Sequence, residues 1–387
     1  MFELLFILLP IAAVYGYYMG KSSARQKEQE SKNEQNSAYL KGFDYLINNK
    51  QEKAVDKFIA FLNSKDPSFD SSIALGNLFR QRGEVDKAIA MHEKMANSNE
   101  LEESENELAK LELAKDFISA GLLDRAENIL LTLVEIPRQS KQAAKQLLAV
   151  YEREQDFKKA ISVANEYSQV LESSANKYVS QYYCELAKTE ILRDHLDEAS
   201  SLLKKAIASY DKSLRARLDL AEIYIKQSKF ADAYKLVKEV SILDPNSGII
   251  CLEKLNKCFP NNADPNYRYA LEDLVHRTNS AEAMLELVKI VQSESGIDDA
   301  IALLQSFTNS KSNLKLLSKL LELRAHLTDA KANEQILQIK SLLDAQISMS
   351  NRYICPNCGF ESKVLFWQCP SCRKWESLKP KIGFDGD

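Results

Sequence analysis

The sequence is poor in the two residues that break helices, with 11 Gly and 9 Pro among 387 residues. That scarcity excludes an all-β fold built on many tight turns, and it excludes long Gly/Pro-rich disordered tracts. A dominant charge is also missing. The 51 basic and 55 acidic side chains leave a net charge of −4, too weak a field for a nucleic-acid partner, and none is expected. Arrangements that carry catalysis are absent as well. The four histidines, His92, His195, His276 and His326, are scattered, and none is paired with a second His or a Cys at metal spacing. There is no Gly-rich phosphate loop and no G-x-S-x-G elbow. No catalytic residue and no organic cofactor site is expected, so the chain reads as a non-enzyme.

What remains is dominated by Ala, Leu, Glu, Lys and Gln, all strong helix formers, so the expected fold class is all-α. The length accommodates one large domain or two to three smaller ones. Residues 4–19, LLFILLPIAAVYGYYM, carry no charge. As a helix they would rise about 24 Å, short of the ~30 Å hydrocarbon core unless Phe2 and the flanks extend the span. Lys21 and Arg25 can snorkel to the interface, and Tyr15, Tyr17 and Tyr18 suit an aromatic belt. A cleaved signal peptide would need a basic start and a small-residue cleavage site, and neither is present. A buried soluble helix is the third reading. The expectation is a transmembrane anchor at 1–20 with a polar linker at 21–36. Lys21, Arg25 and Lys27 follow the run and no basic side chain precedes it, which places residues 21–387 on the cytoplasmic side.

Self-comparison exposes a repeat. Small or apolar residues recur twelve apart as Gly42/Ala54, Gly76/Ala88, Ala114/Ala126, Leu148/Ala160, Ala187/Ala199, Ala221/Ala233 and Val288/Ala300. The second member is always Ala, with successive spacings of 34, 38, 34, 39 and 34 up to Ala233. An aromatic lies three residues after the first member at Tyr45, Phe79, Phe117, Tyr151 and Tyr224. Close helix crossings need small residues at the contact. The pattern resembles the tetratricopeptide repeat, an antiparallel helix pair, and predicts an array over 37–347. Extra residues fall in loops, among them the acidic stretch NSNELEESEN at 97–106. A degenerate unit is expected around 249–280, and 312–347 should cap the array. Such arrays bind peptides or proteins along an extended face. Lys145, Glu152, Arg153, Lys188, Arg215, Glu222 and Lys226 are candidates for that face, although a solvated surface explains the same charges.

Of seven cysteines, Cys184, Cys251 and Cys258 sit in helical patterns and read as small buried hydrophobes. The other four form two C-P-x-C knuckles, Cys355/Cys358 and Cys369/Cys372, with ten residues between them. Repeated C-x-x-C pairs on a cytoplasmic chain point to a metal site. Pro356 and Pro370 pre-set the turns, and Gly359 can take a positive φ. Four thiolates close a tetrahedral site for one Zn or Fe ion in a rubredoxin-like module at 348–387. Tyr353, Phe360, Phe366, Trp367 and Trp375 are expected to pack around it or against the repeats.

The order of parts resembles the lipopolysaccharide assembly protein B family of Gram-negative bacteria. The matching segments are FELLFILLPIAAVYGYYMG at the start and CPNCGF with WQCPSCRKW at the end. That resemblance implies a single-pass inner-membrane adaptor that regulates lipopolysaccharide biosynthesis. It implies partners as well: a membrane-anchored AAA+ protease, the deacetylase that commits precursor to lipid A, and a lipopolysaccharide-sensing membrane protein. It also implies a metal module that docks on the repeats. A homo-oligomer is compatible with it. The competing readings are a rubredoxin-type redox carrier tethered to a protein-binding scaffold, and an envelope scaffold of opposite topology.

Overall fold

A computed structural model describes residues 68–260, 264–327 and 330–387, with the isolated positions Met19, Lys21, Lys53 and Asp56. The anchor, the linker and the first repeat members Gly42, Tyr45 and Ala54 therefore lie, apart from Met19 and Lys21, outside the described residues. Among the described residues no helix is long and apolar enough to cross a membrane. The chain divides into two compact units, Met1–Glu154 and Gln155–Asp387.

The described part of the first unit is five helices: α1 (Phe69–Gln81), α2 (Val85–Ala96), α3 (Glu103–Ala120), α4 (Leu123–Leu133) and α5 (Pro137–Glu154). The acidic insertion is only partly loop. Glu102 and Glu105 form a reciprocal capping box, so α3 starts inside it and its carboxylates face the positive end of the helix. The twelve-residue pairs mark the crossings. Gly76, Ala88, Ala114 and Ala126 are all buried, and so are the aromatics Phe79, Phe117 and Tyr151.

Below them lies a polar network. His92 is fully buried, with Nδ1 2.5 Å from Asp116 Oδ2. Arg80 donates to Asp116 Oδ1 at 2.7 Å and to Glu112 Oε2 at 2.6 Å. A side chain on Gly76 would collide with the His92 ring. This glycine is therefore required by close approach, inside a helix where its intrinsic propensity is poor.

The second unit continues with α6 (Phe157–Glu166), the single turn α7 (Ser168–Leu171), α8 (Ser173–Leu192), α9 (Leu196–Ser209), α10 (Leu214–Lys226) and α11 (Phe230–Leu243). The longest spacing, 39 residues from Ala160 to Ala199, is taken up by α7 and a long α8. After a 3-10 turn at Pro245–Ser247 come α12 (Gly248–Cys258) and α13 (Pro265–Thr278), the degenerate pair expected from the gap in the repeat. Next are α14 (Ala281–Ser295), α15 (Ile297–Ser310), α16 (Leu314–Ala325) and α17 (Ala330–Met349). Ala160, Ala187, Ala199, Ala221, Ala233, Val288 and Ala300 are all 0% exposed. Cys184, Cys251 and Cys258 are buried as small apolar groups, and burial pushes the Cys251 thiol up to about 12.

A three-stranded antiparallel sheet of two-residue strands follows: β1 (Tyr353–Ile354), β2 (Glu361–Ser362) and β3 (Lys379–Pro380), in the order β2-β1-β3. Tyr353 faces Ser362 on one side and Pro380 on the other. The sheet is too small to be stable alone. It brackets the two knuckles and joins them to the helices.

Candidate metal centre

Each knuckle is built in the same way. In the first, Gly359 N donates to Cys355 O at 2.8 Å, with φ +76 at Gly359. In the second, Arg373 N donates to Cys369 O at 2.8 Å, and Arg373 holds a left-handed φ of +56 without being glycine. The turns bring four sulfurs together, all within 4.8 Å of one another. Sγ of Cys355 is 3.7 Å from that of Cys372, and Sγ of Cys358 is 3.7 Å from that of Cys369. A tetrahedron with bonds of about 2.3 Å to sulfur has an edge of about 3.8 Å, so the donor set is the right size for one metal ion.

The two buried thiols differ in protonation. Burial raises the Cys355 thiol, but the Ser377 hydroxyl at 3.4 Å and the backbone N–H groups of Asn357 and Cys358 outweigh it and bring it down to about 6. For Cys369 burial wins against the N–H groups of Cys372 and Ser371, and the thiol is pushed up to about 11. Four sulfurs this close cannot all be anionic without a cation among them. Zinc or iron would satisfy them equally. Cys355 and Cys369 are 0% exposed, while Cys358 is at the surface.

The module sits on the helices of its own unit. Ile249 of α12 shares a buried cluster with Tyr353, Cys355, Cys369 and Leu378. Trp375 meets Tyr182 of α8 edge-on, with ring centroids 6.3 Å apart. The Arg215 guanidinium of α10 lies 5.7 Å from the Trp375 ring centroid. Trp367 packs on the cluster formed by α10 to α14. Lys379 pairs with Asp244 at 3.0 Å.

The tail beyond β3 is bound too. Asn313 Nδ2 donates to the carbonyls of Gly383 and Gly386 at 3.0 and 3.3 Å, and Leu314 N donates to Phe384 O at 2.8 Å. Asp387 Oδ1 accepts from Ser280 Oγ at 2.9 Å and from Glu282 N at 3.0 Å, at the start of α14.

Two expectations need correction. Phe366 is 40% exposed and is not part of the clusters that hold Tyr353, Phe360 and Trp367. Arg215 is not on an open face either. It is 3% exposed, paired with Glu185 at 2.8 Å and Asp219 at 3.3 Å, and covered by Trp375. Glu222 is also engaged, with Lys254 at 2.5 Å, while Lys145 and Lys188 are exposed. Sequence reasoning missed Tyr182, Ile249, Asp244, Ser280 and Asn313 as seats for the module. Asn313 is the N-cap of α16, its side chain accepting from Lys315 N and Leu316 N, an ordinary place for Asn that gave no sign of its second role.

Residues 353–380 match the rubredoxin metal binding domain, and residues 71–104 and 191–249 match the tetratricopeptide repeat. Lipopolysaccharide assembly protein B of Escherichia coli strain K12 is 33% identical over 390 aligned positions, covering 100% of both chains. The chain belongs to the lipopolysaccharide assembly protein B family. The Haemophilus influenzae member is 32% identical and covers 98% of both chains. The likeness to these assembly proteins thus spans the repeats and the module together.

Proposed function

We propose that this chain is a non-catalytic inner-membrane adaptor in lipopolysaccharide assembly. It brings the lipid A-committing deacetylase to a membrane-anchored AAA+ protease and answers to a lipopolysaccharide-sensing membrane protein. In this reading residues 1–20 are a single-pass anchor, 21–36 a linker, 37–347 the repeat array and 348–387 the module, all beyond residue 20 in the cytoplasm. Cys355, Cys358, Cys369 and Cys372 hold one structural zinc or iron ion. The relatives' name supports the pathway, and tetratricopeptide arrays support protein recruitment.

The observation that carries the reading is the burial of Cys355 and Cys369 against Ile249. A metal held there organises the repeat surface. A site with four protein ligands keeps no open position for substrate. Deleting residues 1–20, or replacing the four cysteines by Ser, is expected to lengthen the half-life of the deacetylase, measured by pulse-chase. An unchanged half-life would overturn the adaptor reading.

A second reading is a redox carrier, favoured by the surface position of Cys358, which gives an electron a short path to solvent. A visible thiolate-to-iron band that bleaches reversibly on reduction, in protein purified from its own host, would select it over structural zinc.

A further inference from the structure

In the second unit the module sits on the first helices of the pairs, through Tyr182 of α8, Arg215 of α10 and Ile249 of α12. The second helices offer a different surface. Between α11 and α13 lies a groove of about 690 Å³, closed at one end by the turn at Phe259 and Pro260. Its wall holds no described residue of the module. Four aromatic side chains line it: Phe230, Tyr234, Phe259 and Tyr269. Tyr234 and Phe259 meet edge-on, with ring centroids 5.5 Å apart, and form a corner. The corner is held from behind. Tyr267 packs on Phe259 at 5.7 Å and donates from its hydroxyl to Asn256 Oδ1 at 2.9 Å. Tyr269, by contrast, is 69% exposed on the rim, more than a ring without a partner ordinarily leaves in water.

The two ends of the groove differ in charge. At one end is Asp264, the N-cap of α13. Its Oδ1 accepts from Asn266 N and Nδ2, both at 2.9 Å. Its other oxygen bonds to nothing among the described residues, and no cation pairs with this carboxylate. At the other end Lys238 and Arg277 share Asp273, at 3.2 and 2.8 Å. Two cations on one carboxylate leave that end positive. Asp264 and Asp273 are nine residues apart, about 13 Å along a helix. An extended chain covers that distance in about four residues.

We propose that this groove takes an extended segment of a partner protein with a basic residue at one end, an acidic residue about four positions away, and apolar side chains between. The basic residue pairs with the open oxygen of Asp264 and lays its stem and head on the aromatic rings. Arginine suits the position best, because its planar guanidinium stacks and donates at once. The acidic residue meets Lys238 and Arg277, which are 41% and 30% exposed and so within reach of a partner. The apolar side chains fill the corner of Tyr234 and Phe259. A lone small cation would leave most of the groove empty, and a polyanion would meet Asp264. The proposal rests on the recruiting role above for what the groove is for. Peptide binding is read directly, so its failure and an unchanged deacetylase half-life are separate results.

The test uses the full metal-loaded chain in detergent and random seven-residue peptides displayed on phage. Selected peptides are expected to carry a basic and an acidic residue about four positions apart, with apolar residues between. In anisotropy titrations of a selected peptide, Tyr269→Ala and Asp264→Asn should each weaken binding roughly tenfold. Asn caps a helix as well as Asp does, so Asp264→Asn removes the charge and keeps α13. Replacing the peptide's basic residue by Gln should cost as much on the parent chain and little more on Asp264→Asn. Asp232→Asn, at an exposed carboxylate of α11 outside the groove, should leave binding unchanged. Failure to select any peptide, selection of peptides without the charge pair, or an affinity that neither groove variant lowers would each overturn the proposal. So would choline bound as tightly as the peptide. If Asp264→Asn alters helical circular dichroism, Tyr269→Ala decides.

Discussion

His92 and Gly76 form a pair in which one residue's shape depends on the other's lack of a side chain. Gly76→Ala ordinarily helps a helix by ~1 kcal/mol. Here we expect it to destabilise the first unit by about 1–3 kcal/mol, because the ring has no room to move in a packed core. In a His92→Ala background the penalty should vanish, and a double-mutant cycle by urea denaturation measures the coupling. The network around it is also pH-sensitive. Burial raises the Glu112 carboxyl, but hydrogen bonds from Lys115 and Arg80 outweigh it and hold it below its ordinary 4.5. A carboxyl depressed in the folded state stabilises that state above the unfolded value. Between the two values the unfolded chain binds more protons, so stability falls as pH drops below about 4.5. Glu112→Gln should flatten that acid limb in thermal melts recorded from pH 6 to 3.

At the scale of elements, the repeat helices and the tail were legible to different degrees. The Ala at every second repeat position announced the crossings, because only a small side chain lets two backbones approach closely. The degenerate pair at 249–280 followed from the period alone. The tail, 381–387, gave no such signal, because its bonds are made by backbone carbonyls and one carboxylate whose partners lie far away in sequence. Asp387 shares the N-terminus of α14 with Ser280, whose Oγ also accepts from Ala283 N at 3.3 Å. Asp387→Ala should cost about 0.5–2 kcal/mol, as lost caps do. It should speed hydrogen exchange at Glu282 while leaving amides in α10 unchanged. Equal exchange at Glu282 in both proteins would mean that the tail does not hold α14.

For the whole molecule, the metal module and the second unit should behave as one cooperative structure. Both tryptophans of the chain, Trp367 and Trp375, are in the module, so selectively excited tryptophan emission reports on its seating. Removing the metal takes away most of the module's folding free energy, since a three-stranded sheet of two-residue strands cannot replace it. Chelation should therefore red-shift emission, expose Tyr182 and Ile249, and open a protease site near 350, with most far-ultraviolet helix signal retained. An unshifted emission maximum after complete metal removal would show that packing alone seats the module.

The knuckles, the repeat and its period are local properties, carried by short spacings whose physics works within one turn or one helix pair. For that reason the all-α fold, the crossings and the four sulfurs could be read from sequence. Which surface the module covers could not, because Trp375 and Arg215 are 160 residues apart and neither carries a local mark of the other. The charged repeat positions looked alike in sequence. Only tertiary packing separated Arg215, desolvated between Glu185, Asp219 and an indole, from Lys188, left in water. The same holds for α17, whose periodicity foretold a helix, while its packing left Leu342 in solvent and half-buried Leu343.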